Sequence, residues 1–134
     1  MDKTLLQSAL AEYFAPWVQA LGLKVEGFDG DSVSLRLPQN AELSRVGGML
    51  CGQAMMAAAD TAMVLALINQ SGQFRPCTTV QMNTSFLKPL SNQDAMVQAK
   101  VLRAGKSLAF GEIDIRGADD GKSVCRASVT YALL

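Results

Sequence analysis

The chain has 134 residues, 49% of them hydrophobic, with 12 Lys and Arg balanced by 12 Asp and Glu. That length fits one domain with a real core, residues 1–134, but leaves little room to enclose a ligand without a second subunit. Zero net charge excludes a basic field able to hold nucleic acid or an anionic membrane, so neither is an expected partner.

The first segment predicts a helix, because Leu6, Leu10, Tyr13, Phe14, Trp17 and Leu21 recur at steps of three and four residues. Pro16 is expected to kink or split it, and Gly22 to end it. Leu23 and Val25, then Val33, Leu35 and Leu37, alternate with polar residues around Phe28-Asp29-Gly30-Asp31, which predicts a hairpin. A glycine-containing loop from Ser44 to Gly52 leads into the most apolar stretch, Ala54 to Ile68, with Gly52 expected in the first helical turn. Four alternating segments follow: Thr78 to Leu87, Ala95 to Arg103, Leu108 to Arg116 and Ser123 to Leu133. Turn chemistry at Pro89-Leu90-Ser91-Asn92, Ala104-Gly105-Lys106 and Gly117 to Gly121 separates them. This order predicts an α+β domain, with the last four strands in a meander and an antiparallel sheet covering one side of a long central helix. A helix apolar nearly all round needs cover on its other side as well, so a homo-oligomer is expected.

One acid, Asp60, interrupts the apolar stretch. Its neighbours at helical spacing are Met56, Ala57, Met63 and Val64, so an apolar surrounding is expected for it. Two readings stand. A desolvated carboxylate is how a general base is tuned, whereas a carboxylate neutralised by a buried Arg, most simply Arg45, would be structural. Histidine is absent, which removes Ser-His-Asp and Cys-His nucleophiles and His-containing zinc sites. Cys51, Cys77 and Cys125 are odd in number and far apart, fitting neither a disulfide framework nor a zinc ligand set. With no signal-peptide pattern at Met1-Asp2-Lys3-Thr4-Leu5 and no membrane span, a cytoplasmic protein without a bound metal or cofactor is expected.

The run Cys51-Gly52-Gln53-Ala54-Met55-Met56-Ala57-Ala58-Ala59-Asp60-Thr61-Ala62 resembles the signature of hot-dog-fold acyl-CoA thioesterases of the phenylacetate-degradation type. There, His-Gly-Gly precedes an apolar turn and Ala-Asp-Thr-Ala. The segments Thr79 to Pro89, Val101 to Glu112 and Asp120-Gly121-Lys122 are similar to the family's later strands. The resemblance spans about Leu23 to Tyr131. It implies a single hot-dog domain, an antiparallel sheet wrapped around a long central helix, that hydrolyses acyl- or aryl-CoA thioesters as a homodimer or homotetramer.

Carried over by position, the resemblance makes Asp60 the base or nucleophile, Gly52 the backbone N–H donor to the oxyanion, and Thr79 a positioner of water. A helix N-terminus suits the donor role, since its amides and dipole face developing negative charge. Cys51 and Gln53 replace the family's His and second Gly, and Arg45 stands where relatives often carry Asn. These three, with Asn83 on the following strand, are expected to contact substrate. Lys88, Arg103, Gly105 and Lys106 fall at turns matching segments that meet the phosphates of coenzyme A. The missing histidine disfavours the hydratases of this fold, which share an Asp/His pair. A non-catalytic acyl-CoA binding or sensing module and a purely structural subunit remain as alternatives. The acyl group is unnamed, although Met55, Met56, Met63 and Met82 suggest an adaptable apolar lining.

Overall fold

The structure, a computed structural model, describes residues 1–134. The predicted first helix is two helices, α1 (Lys3–Glu12) and α2 (Pro16–Gln19). Asp2 caps α1 by accepting the Leu5 N–H at 2.8 Å, and Pro16 opens α2 at the position where a missing N–H costs nothing. Strands β1 (Lys24–Phe28) and β2 (Ser32–Leu37) form the expected hairpin. At its tip Asp29 Oδ1 accepts from the Ser32 hydroxyl at 2.7 Å and from the backbone N–H groups of Asp31 and Ser32, and these donors hold its carboxyl below the usual range. A 3-10 turn (Ala41–Leu43) and a two-residue ribbon, β3 (Ser44–Arg45) with β4 (Met49–Leu50), then deliver the chain to the central helix α3 (Gly52–Ser71). Gly72 ends α3 in the left-handed region, φ +83°, where its N–H reaches Ile68 O at 2.8 Å.

Strands β5 (Cys77–Phe86), β6 (Ala95–Ala104), β7 (Leu108–Gly117) and β8 (Ser123–Leu133) complete one antiparallel six-stranded sheet in the order β1-β2-β6-β7-β8-β5. The four-strand meander is therefore corrected to three strands. After β5 the chain crosses to place β6 beside β2, and β5 closes the far edge against β8. Alternation along a strand reports which face it buries but not which neighbour it takes, so this crossover was invisible in the sequence.

Helix α3 lies across the inner face of the sheet, mainly over β6 and β2. Ala58, Ala59, Ala62, Met63, Leu65 and Ala66 on α3 are fully buried, as are Val33, Leu35, Val97 and Ala99 on the strands. The alanines let helix and sheet approach closely. Gly111 on β7 allows the tightest approach, because a Cβ there would stand 2.3 Å from Met63 Sδ and 2.9 Å from the Lys100 carbonyl. One stripe of α3 escapes this cover. Gln53, Met56, Ala57, Asp60, Val64 and Leu67, at helical spacing, remain partly or fully exposed along the β5 side. No helix is long and apolar enough to cross a membrane.

Candidate active site

Asp60 sits on the open stripe of α3, half-buried, and its carboxylate turns toward two hydroxyls on the sheet. Thr79 Oγ1 on β5 donates to Asp60 Oδ1 at 2.8 Å. Tyr131 Oη on β8 makes a short hydrogen bond to the same oxygen and lies 2.9 Å from the Asp60 carbonyl. Thr79 and Tyr131 are direct cross-strand partners, which is why both side chains rise on the face toward α3. Two readings of Asp60 change accordingly. Its surroundings are not wholly apolar, since the sheet supplies polar partners that α3 alone does not show, and it forms no ion pair. The two salt bridges of the chain are Arg36–Asp94 and Arg116–Asp114. Arg45 is exposed, its guanidinium 3.5 Å from Met49 Sδ, so the Arg45–Asp60 pairing is corrected.

The cluster is anchored more deeply than Asp60's exposure suggests. Tyr131 is only 2% exposed. Burial first, and then the hydrogen bond to Asp60, push its phenol well above the ordinary tyrosine range, so it remains a donor at every physiological pH. Cys77, two residues before Thr79 on the same face, is the other titratable group here. Its thiol is raised by burial and by the Asp60 charge. Sequence reasoning missed Tyr131. Its register on β8 carries the only signal, a polar aromatic on an otherwise apolar inward row of Cys125, Ala127 and Val129.

The N-terminus of α3 forms the second part of the site. Cys51 is its N-cap residue but makes no side-chain capping bond, so the first-turn amides, beginning with that of Gly52, keep free donors. Gly52 packs against Phe86, whose ring atoms would lie 3.2 Å from any added Cβ. An open groove beside it is lined by Arg45, Met49, Gly52, Met55, Phe86 and Lys88, among others. Gln53 is exposed on the next position of the helix. This groove can present amide donors, an apolar wall and two cations to one ligand.

The predicted residues thus fall into separate groups. Asp60 and Thr79 meet directly, while Arg45, Cys51, Gly52, Gln53 and Lys88 gather at the start of α3. Arg103, Gly105 and Lys106 lie at the other end of the helix. There Arg75 reaches the Lys106 carbonyl at 2.9 Å, and Gly105 lines a small cavity with Ile68, Ser71 and Cys77. A helix of 20 residues is about 30 Å long at 1.5 Å per residue, so Lys88 and the turn that carries Arg103 lie near opposite ends of α3. Asn83 pairs with Ser128 on the outer face of the sheet, turned away from Asp60, with Arg126 and Glu112 nearby. No cluster of His, Cys, Asp or Glu is arranged to hold a metal ion.

Comparison with known proteins agrees with this architecture. Residues 47–124, more than half of the chain, match the family described as the thioesterase superfamily. The relative Ta0293 of Thermoplasma acidophilum is 28% identical over 101 residues, 75% of this chain and 74% of that protein. The crystal structure of a mutant of thioesterase PA1618 from Pseudomonas aeruginosa covers 100% of this chain and 94% of its own, with TM-score 0.87 at 24% identity. PA5202 of the same organism superposes with TM-score 0.81 at 27% identity, covering 90% of this chain and 95% of its own. A six-stranded antiparallel sheet over one long helix, with a family match that includes both Gly52 and Asp60, identifies the chain as a member of the thioesterase superfamily with its hot-dog fold.

Proposed function

We propose that the protein hydrolyses acyl- or aryl-CoA thioesters, with Asp60 as general base, at sites formed between two copies of the chain. The observation that carries this reading is the pair of hydroxyls on Asp60 Oδ1, which leaves Oδ2 without a hydrogen-bond partner in the chain. A water there gives one hydrogen to Oδ2. The other goes to Thr79 Oγ1, whose own proton is already donated to Asp60, so that the hydroxyl accepts. The water oxygen attacks the thioester carbon, the oxyanion is held by backbone N–H donors at a helix start, and collapse breaks the carbon–sulfur bond. The departing thiolate takes up the proton from Asp60. Free acid and coenzyme A result, and Asp60 is again a carboxylate.

Within one chain the two halves of this machinery are too far apart. Gly52 and Asp60 are eight residues apart on one helix, about 12 Å at 1.5 Å per residue, and cannot flank the same carbonyl. Strand β5 supports the solution: its ten residues form a sheet edge with one side unpaired. Two copies joined edge to edge about a two-fold axis run antiparallel, and a register centred near Met82 and Asn83 sets Phe86 of the second copy opposite Thr79. Phe86 packs on Gly52, so the second copy's Gly52 amide then comes beside Asp60. The same pairing draws Lys88 of the second copy toward Arg75, Arg103 and Lys106, a cationic group suited to the phosphates of coenzyme A.

The test is hydrolysis of a panel of acyl-CoA thioesters followed by loss of thioester absorbance, which avoids interference from the chain's own free, partly exposed thiols Cys51 and Cys77 in a thiol-reagent assay. Asp60→Asn should lower turnover by about 10²- to 10⁴-fold while affinity survives. Binding without turnover in the wild type would leave a non-catalytic acyl-CoA module.

A further inference from the structure

We propose that Tyr131 is the positioning residue of the site: with Thr79 it occupies Asp60 Oδ1 and so selects Oδ2 as the oxygen that receives the proton of the attacking water. The inference rests on the reading of Asp60 as the base and adds a residue and an atom to it. Three observations carry it. Tyr131 is the most deeply buried polar group of the cluster, held on the interior strand β8 between β7 and the edge strand β5, so its hydroxyl is fixed by the sheet and not by α3. That hydroxyl contacts Asp60 twice, at Oδ1 and at the backbone carbonyl, which defines both where the residue stands on the helix and which way its carboxylate turns. Thr79, by contrast, lies on the exposed edge strand and contacts Oδ1 alone.

A carboxylate on a helix surface otherwise samples several rotamers, and its two oxygens exchange by rotation about the last torsion. Two donors converging on one oxygen stop that exchange. The groups facing Asp60 from the packed elements are Thr79 and Cys77 on β5 and Tyr131 on β8. Among these, the thiol and the phenol are both raised above their ordinary values, so both stay protonated beside the carboxylate.

The experiment is Tyr131→Phe in the full chain, assayed for hydrolysis over a range of acyl-CoA concentrations, with thermal unfolding measured in parallel. The expected result is a kcat about 10- to 100-fold lower, the range typical of partners that orient a reacting group, with KM unchanged. In an Asp60→Asn background the same substitution should change the rate no further. A merely structural hydroxyl would lower the melting temperature while leaving kcat at permissive temperature where it was, and that outcome overturns the proposal. If Asp60→Asn abolishes turnover and Tyr131→Phe does not alter it, the base stands and the positioning role falls. If Asp60→Asn is fully active, the base reading itself has failed. Should Tyr131→Phe not fold, Thr79→Val removes the second donor to Oδ1, and an unchanged kcat there overturns the scheme equally.

Discussion

Asp60 was conspicuous in the sequence because a charge interrupts an apolar helix, but the side chains that define its chemistry come from strands 19 and 71 positions further on. Arg45 is the converse case. It looked like a partner for the acid and lies instead at the groove by the start of α3, exposed and unpaired with any carboxylate. Its removal should therefore be silent for folding and visible in binding. We expect Arg45→Ala to leave the melting temperature unchanged, as surface substitutions generally do within about 0.5 kcal/mol. KM for an acyl-CoA should rise by up to about fivefold, corresponding to the roughly 1 kcal/mol limit of an exposed ion pair. A loss of stability comparable to that of a core substitution would return Arg45 to a structural role.

At the scale of elements, the seating of α3 on the sheet decides whether Asp60 reaches the hydroxyls of β5 and β8. That seating depends on Gly111, where β7 offers no side chain beneath the fully buried Met63. Met63 is three residues from Asp60 on α3, so a shift of one moves the other. Gly111→Ala puts a methyl against a thioether packed on all sides and against the Lys100 carbonyl, which belongs to the β6 backbone and does not yield. Overpacking of this kind costs about 1–3 kcal/mol. We expect a fall in melting temperature of several degrees and a reduced kcat, measured by thermal unfolding and steady-state hydrolysis on the same preparation. An unchanged melting temperature would mean that α3 rides higher on β7 than its packing indicates.

At the scale of the whole molecule, the half-covered stripe of α3 and the unpaired edge of β5 lie side by side, and one chain satisfies neither. Joining two β5 edges, as proposed above, would supply the missing backbone partners and bring apolar side chains of the stripe, Met56, Val64 and Leu67, under cover. Light scattering should give a mass of at least twice the 14.3 kDa of the chain. On dilution, activity and the dimer fraction should fall together. A monomer that retains full activity at low micromolar concentration would remove the interface site.

The sequence by itself determined the element types and most of their limits. Periodicity follows the local geometry of helix and strand, so the hairpin around Asp29-Gly30, the long helix beginning at Gly52 and each of the last four strands were legible from alternation and turn residues. Asp60 and Gly52 were legible as well, one as a misplaced charge and the other as a glycine at a helix start. What only the tertiary structure decided is which elements meet. The edge position of β5, the pairing of Thr79 with Tyr131, the outward turn of Asn83 and the separation of Lys88 from Arg103 along α3 all depend on strand order and register. Those are long-range choices, made by the packing of the helix against the sheet, and period-two alternation is the same for every order in which the strands could lie.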